Sequence, residues 1–383
     1  MRTIQGVCTS TLIAAIAACT LSAGAARAAT TTERPGSILI FPKVVTTGTR
    51  DTIIQITNTG NMPEDVRCFY LNGQSCFQTD FNIALTRQQP TVWTAETGRR
   101  VNPTDSQRGI DPGLIPPLPT NFAGALICVE VDTSDRPLVR NQLKGEATIV
   151  DDSGSSTGNS VSKYNAIAVQ GVSSGDMDNV LELDDAEYSE CPASLLLNFP
   201  RDGGPDDVIE ALGNGGLCVG GSNANDPCNN NADCDSNNCS TGQSRTLTRL
   251  TVLPCNLDLE RLVPTQVVLS LTGADETEAV ISGGRGFSCW DSFTVDNLII
   301  TPPGTPFATL NIRSTVGGPV VGIAEYFRSD SVANTASAAV NLHAQGICSG
   351  GANNGRGCNR PADCPSPGTC EATSSATITI PIH

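Results

Sequence analysis

Aromatic side chains make up only 4 % of the 383 residues, and there are just two histidines. Scarce aromatics leave little with which to stack on sugar faces. The only tryptophans are Trp93 and Trp290. Two histidines, His343 and the terminal His383, offer little general-base or zinc chemistry, and His343 sits in the strand-like run AAVNLHAQG. Motifs are missing too: there is no G-x-S-x-G, no H-E-x-x-H, no Walker loop, and no G-x-G-x-x-G turn joining a strand to a helix. Gly283-Gly284-Arg285-Gly286 is glycine-rich without a helix to follow, and reads as a hairpin turn. Positive charge is also short, with 23 Lys and Arg against 39 Asp and Glu, a net charge of −16. That balance argues against nucleic acid or an anionic membrane as partner, since both demand basic patches. Beyond the N-terminus no apolar run approaches the ~18 residues that a membrane-spanning helix needs, so no transmembrane span is expected.

What is present begins with a leader. Arg2, the apolar stretch TLIAAIAACTLSAGA and Ala26-Arg27-Ala28 form a charged start, an apolar centre and an A-x-A cleavage site, so residues 1–28 read as a signal peptide. A second reading takes Ile16-Ala17-Ala18-Cys19 as a lipobox, with Cys19 lipidated as a membrane anchor. Removing residues 1–28, which hold Arg2, Arg27 and no acid, takes the net charge to −18. The expected location is the periplasm, the cell surface or the medium, and acidity there serves solubility.

Short alternating runs of Val, Ile, Leu and Thr, bounded by Gly, Pro, Asn and Asp, predict an all-β protein. SILIFPK at Ser37, DTIIQITNTG at Asp51, ALICVEVD at Ala125 and TQVVLSLTG at Thr265 are examples, and no helical periodicity of three or four turns competes with them.

Several segments recur in the same order. SILIFPK is echoed by SLLLNFPR at Ser194, and Thr49 to Gly73 by Thr246 to Gly273. Ser75-Cys76-Phe77 is echoed by Ser288-Cys289-Trp290, and SVSKYNAIAVQG by SVANTASAAVNLHAQG. The runs NVLELD at Asn179 and TITIPI at Thr377 close the two series. The expected architecture is therefore two tandem Ig-like β-sandwich repeats, residues 37–185 and 191–383. Pro42 to Gly73 spans 31 residues but Pro200 to Gly273 spans 73, and the interval 203–244 accounts for the excess. Intervals 203–244 and 348–370 are thus loop insertions into the second repeat.

Each insertion carries four cysteines, Cys218, Cys228, Cys234, Cys239 and Cys348, Cys358, Cys364, Cys370, with almost nothing apolar between them. So little buried surface cannot offset the entropy of ordering the chain, so cross-links must. Two disulfides per cassette would each contribute roughly 2–4 kcal/mol, and three pairings are open. A four-cysteine zinc site usually shows short C-x2-C pairs in a reducing compartment, and neither condition is met. The pattern C-x-G-G-x-N, then C, D-C and C, resembles small cysteine-rich repeats of secreted and surface proteins of environmental bacteria and, distantly, Dickkopf-type cysteine-rich regions. That resemblance covers only the two cassettes and implies an extracellular spacer or contact surface. The first cassette departs from the pattern, with Asn225-Asp226-Pro227 where the second has Gly355-Arg356-Gly357. The main body resembles no particular family.

Six further cysteines lie outside the leader and cassettes. Cys68 and Cys76 flank Asn72-Gly73, a type I′ hairpin signal, and are expected to bridge neighbouring strands. Cys255 with Cys289 is the analogous pair, which leaves Cys128 and Cys191 to pair or stay buried. Asp226, Asp233 and Asp235 in the first cassette are calcium candidates, set against turn chemistry that favours the same residues. Asp184-Asp185-Ala186-Glu187, between the repeats, is a second candidate and equally a solvated linker. Trp93, in PTVWTAETG, is the one tryptophan eligible for sugar stacking, because Trp290 matches a core-like Phe77. The expectation is a non-enzymatic structural or adhesive protein without a cofactor, meeting a protein or glycan partner. The alternative is a calcium- or carbohydrate-binding module.

Overall fold

A computed structural model describes residues 30–100, 113–151, 160–173, 178–200, 216–218, 220–222, 227–228, 232, 234–241, 245–295, 307–331, 334–359 and 361–382. The chain is all-β: apart from short 3-10 turns, every described element is a strand.

The first nine strands are β1 (Ile38–Thr46), β2 (Arg50–Asn58), β3 (Glu64–Asn72), β4 (Gln78–Leu85), β5 (Pro90–Thr94), β6 (Phe122–Val131), β7 (Leu143–Asp151), β8 (Ser160–Asn165) and β9 (Ile167–Val169). They form two antiparallel sheets, ordered β4-β3-β6-β1-β9 and β5-β2-β7-β8. Alternation in β2 shows why they stack: Ile54 and Ile56 are buried between the sheets, while Gln55 and Thr57 lie on the other face.

Next come β10 (Val180–Leu183) and β11 (Cys191–Pro192), then β12 (Ser194–Pro200), the cassette strands β13 (Gly216–Cys218), β14 (Pro227–Cys228) and β15 (Cys239–Thr241), and β16 (Arg245–Pro254). β17 (Leu257–Asp258), β18 (Gln266–Asp275), β19 (Val280–Ser288), β20 (Asp291–Thr294), β21 (Phe307–Val316), β22 (Val320–Ser331), β23 (Asn334–Asn341) and β24 (His343–Ser349) follow. The last are β25 (Gly357–Cys358), β26 (Thr369–Glu371), β27 (Thr373–Ser374) and β28 (Ala376–Thr379). The larger sheets here run β19-β18-β21-β12-β24 and β20-β16-β22-β23, the strand order of the first nine repeated one for one.

The two sandwiches differ in what covers them. Ile38, Ile40, Phe69, Ile127 and Val129, on the outer face of the first sheet, are buried with Leu253 and Val321 of the second sandwich and with residues of a small sheet, β10-β28-β17. That sheet is covered on both faces, so all nine positions of β1 are buried. Ladder registers place Ser194, Leu196, Thr272, Asn311 and Arg313 at the corresponding positions of the second sandwich. The residues are apolar where the small sheet and the second sandwich cover them, and mostly polar on the second sandwich, where glycines of the second cassette lie against Asn311 and Arg313. One edge of each sheet is also blocked, β9 by a bridge to Thr31 and β24 by β25 and β26 of the second cassette. Covering an edge in this way removes a template for strand addition.

The structure corrects several sequence expectations. Gly283-Gly284-Arg285-Gly286 lies inside β19, and the hairpin turn falls earlier, at 276–279, where Asp275 accepts hydrogen bonds from the amides of Thr277 and Ala279. Ser75-Cys76-Phe77 and Ser288-Cys289-Trp290 are not equivalent, because the first joins β3 to β4 and the second joins β19 to β20. Cys68 pairs with Cys128, directly opposite on the β3–β6 ladder, and not with Cys76. Cys76 pairs with Cys289 across the two sandwiches, and Cys255 with Cys191. The reason is the turn at Asn72: it is longer than a two-residue hairpin and holds Cys76 in the left-handed region, φ 60°. In the second cassette the pairs are Cys348–Cys364 and Cys358–Cys370, so its thiols are spent on disulfides. In the first, Cys234 is buried and disulfide-bonded; the side chains of Cys218, Cys228 and Cys239 lie outside the described residues.

Candidate functional site

A dense cluster of buried charge lies in the seam between the sandwiches. β1 is irregular between Phe41 and Val44, so Pro42-Lys43 interrupts its ladder and Lys43 leaves the apolar pattern of SILIFPK. The Lys43 ammonium meets the Glu325 carboxylate of β22, with both side chains almost wholly shut off from water. Glu325 also accepts a hydrogen bond from Arg50 Nη2 at 2.7 Å, and Arg249 stands directly opposite it on the β16–β22 ladder. Arg50 and Arg249 both lie over the Phe327 ring, at 5.4 and 5.8 Å. Lys43 Nζ donates to Ser292 Oγ at 3.3 Å, and its backbone exchanges hydrogen bonds with the buried Tyr164 hydroxyl.

Burial sets the charge state. Loss of water pulls the Lys43 ammonium down to about 7, and the attraction of Glu325 only partly opposes it while Arg50 and Arg249 reinforce it. Burial would raise Glu325, but Lys43, Arg50 and Arg249 together overcome it and hold the carboxyl down to about 2. Burial likewise lowers Arg249 to about 10 against the pull of Glu325. Asp151, 3.5 Å from Arg50 Nε, supplies a second carboxylate at the margin. Such a group ties two surfaces together.

A second buried carboxylate, Glu130 of β6, accepts backbone N–H bonds from Arg140 at 2.9 Å, Asn141 at 3.1 Å and Gln142 at 2.6 Å. Burial nevertheless raises it to about 7. Glu64 beside it is also raised by burial, despite Arg140 at 3.0 Å. Together the two carboxyls pin the loop before β7 onto the first sheet.

Of the calcium candidates, Asp226 and Asp233 lie outside the described residues. Asp235 is exposed and accepts a hydrogen bond from the Ser222 hydroxyl. Asp184 and Asp185 accept the amides of Ala186, Glu187 and Glu190, the local bonding that shapes a turn. An acidic recess lined by Asp65, Asn82, Asp132 and Asp135 does exist, and the carboxylates of Asp132 and Asp135 are engaged. Asp132 takes the amides of Ser134 and Arg136, and Asp135 takes the Asn82 side-chain amide.

Trp93 is not available to a sugar. It sits in β5, 4 % exposed, its indole N–H donating to Tyr70 Oη at 2.6 Å in the first core. The match of Trp290 to a core-like Phe77 also fails, because Phe77 is 63 % exposed while Trp290 packs against the first sandwich. His343 is exposed at the start of β24 and lines a recess with Thr31 and Ile167. Lys43 and Glu325 escaped the sequence reading, although a charge inside each of the apolar runs ILIFPKVV and VVGIAEYF was the available signal.

Together these features describe a disulfide-stapled, two-sandwich β protein. No protein-family model and no curated protein matches the chain. A solved structure, the crystal structure of Thermotoga maritima 1070, aligns at 10 % identity over 35 % of this chain and 95 % of that one, with a TM-score of 0.24. Neither fold nor function is carried over at that score. Five disulfides among the described residues point to folding in an oxidising environment. No described helix is long and apolar enough to cross a membrane.

Proposed function

We propose that the protein is an exported, non-enzymatic component of the cell envelope or extracellular space, structural or adhesive, that meets a protein or glycan partner through its loops and cassettes. The observation that carries this reading is the seam. A shared core, a buried ion cluster and the Cys76–Cys289 bond join two sandwiches into one support, leaving surface loops as the adaptable part. The common strand order and the echoes between segments support descent of both sandwiches from one duplicated, Ig-like unit. The same reading takes residues 1–28 as a signal peptide.

Native intact mass spectrometry of the exported protein, with and without chelator, tests it. The expected result is a chain lacking residues 1–28 and 14 thiol protons, with no metal adduct and a chelator-independent melting midpoint. A calcium adduct lost to chelator would favour the alternative binding module, and turnover of any substrate would overturn both. A mass beginning at a lipidated Cys19 would leave the scaffold reading intact and move it to a membrane surface.

A further inference from the structure

We infer that the assembled seam is the template on which the Cys76–Cys289 bond closes, and that Trp290 is the residue positioning Cys289 for it. Among the described disulfides this one joins the two sandwiches, across a sequence separation of 213. The others need less of the chain in place. Cys68 and Cys128 face each other within one sheet, and the cassette pairs are separated by 16 and 12 residues.

Each sandwich presents its own cysteine independently of the other. Asn72 Oδ1 accepts the amides of Gln74 and Ser75, and Asn72 O accepts the Cys76 amide at 2.8 Å. On the other side, the Cys289 amide donates to Thr265 O at 3.1 Å. Both residues are held at positive φ, 60° and 51°, a conformation costly for a side chain with a Cβ and kept only by such local bonding. These turns fix where each thiol stands on its own sandwich but do not bring the two together.

The neighbours of Cys289 supply that step. Trp290 Nε1 donates to Pro42 O at 2.7 Å, and two residues on Ser292 accepts from Lys43 Nζ. The indole lies over Gly73, where a Cβ would collide with the ring, three residues from Cys76. The chain immediately after Cys289 is thereby hooked onto the first sandwich at Pro42, Lys43 and Gly73, beside the point where Cys289 must meet Cys76.

Closure needs a disulfide oxidant, here oxidised glutathione. The thiolate of one cysteine attacks the oxidant's S–S bond, forms a mixed disulfide and expels one glutathione thiolate. The thiolate of the second cysteine then attacks the mixed disulfide at the protein sulfur and expels the other glutathione. Two protein thiols are oxidised, one glutathione disulfide is reduced to two thiols, and the protons follow the leaving thiolates. Docking raises the second thiol's effective concentration far above that of two groups free on an unfolded chain.

The test is oxidative refolding of the full-length chain in glutathione buffer, with free cysteines alkylated at intervals and disulfides mapped without reduction. In Trp290→Ala, Cys76–Cys289 is expected to form at least five-fold more slowly, while Cys68–Cys128, Cys348–Cys364 and Cys358–Cys370 form as in wild type. Trp290→Phe, which keeps the ring over Gly73, should recover most of the rate. Wild-type formation of Cys76–Cys289 in Trp290→Ala, even with a lower melting midpoint, would show a merely structural tryptophan and overturn the proposal. If Trp290→Ala loses the other pairs as well, Gly73→Ala, whose Cβ would meet the indole, decides. Slowed closure of Cys76–Cys289 alone supports the template, and a wild-type rate overturns it.

Discussion

A lysine shut off from water costs more than one ion pair returns, and in the seam that balance becomes a pH dependence. Folded Lys43 titrates at about 7, below its ordinary 10.5, so between these values the unfolded chain binds a proton that the folded one does not. Its contribution to stability therefore rises with pH from about 7 to 10.5 and is flat below. Glu130 works the other way: raised from 4.5 to about 7, it contributes stability at low pH that is lost as pH rises through that interval. Melting midpoints measured across pH should separate the two. Relative to wild type, Lys43→Met loses the alkaline gain and Glu130→Gln loses the acidic one. Glu325 is the less replaceable partner. Glu325→Gln leaves Lys43, Arg50 and Arg249 facing one another and should cost about 3–5 kcal/mol in urea denaturation, and the double change Lys43→Met with Glu325→Met should recover only part of that loss, because Arg50 and Arg249 still lose their shared carboxylate.

Among elements, the contrast between corresponding strands can be tested by exchange. Ile127 in β6 is buried beneath the small sheet, and its counterpart Asn311 in β21 is only half-buried, with its side-chain amide donating to Ser194 and Gln345. Ile127→Asn should cost about 3 kcal/mol or more, through lost packing and a polar group buried without partners. Asn311→Ile should stay within about 1 kcal/mol. Urea midpoints of the two variants decide, and equal losses would mean that the two outer faces are equally covered. The second cassette depends on its cross-links in a different way, because its buried cluster consists of cysteines alone. Replacing Cys348 and Cys364 by Ser removes a link over a 16-residue separation, worth about 3 kcal/mol in the unfolded-chain account. Limited trypsin digestion should then cut at the exposed Arg356 while the sandwiches stay intact.

At the scale of the molecule, the two sandwiches share a core. β10 from the link, β17 from the second sandwich and β28 near the C-terminus form the roof over the first sheet. Ile323 of β22 belongs to the first sandwich's interior cluster. Unfolding of one half strips apolar cover from the other, so both should unfold in a single transition. Trp93, in the first core, and Trp290, at the seam, report on different places. Denaturation curves of the two single-tryptophan variants, Trp93→Phe and Trp290→Phe, should superimpose once each is scaled to its own stability against far-UV circular dichroism. A tryptophan signal that parts from the circular dichroism would mean that the sandwiches unfold separately.

The sequence by itself determined the all-β class, many of the strands and the serial order of the two similar halves, though not every turn. Alternation and turn chemistry act within ten residues, so they are visible in a linear string. The second cassette was legible for the same reason, since its cysteines lie close together and have little else to hold them. Tertiary structure alone decided which surfaces were covered, and therefore what Trp93, Lys43, Glu325 and the six remaining cysteines do. Trp93 looks like a loop residue until β2 pairs with β5 and Tyr70 receives its N–H. Cys76 looks like a hairpin partner of Cys68 until a turn 213 residues away docks beside it. Burial depends on neighbours brought together from distant parts of the chain, and a local pattern does not contain them.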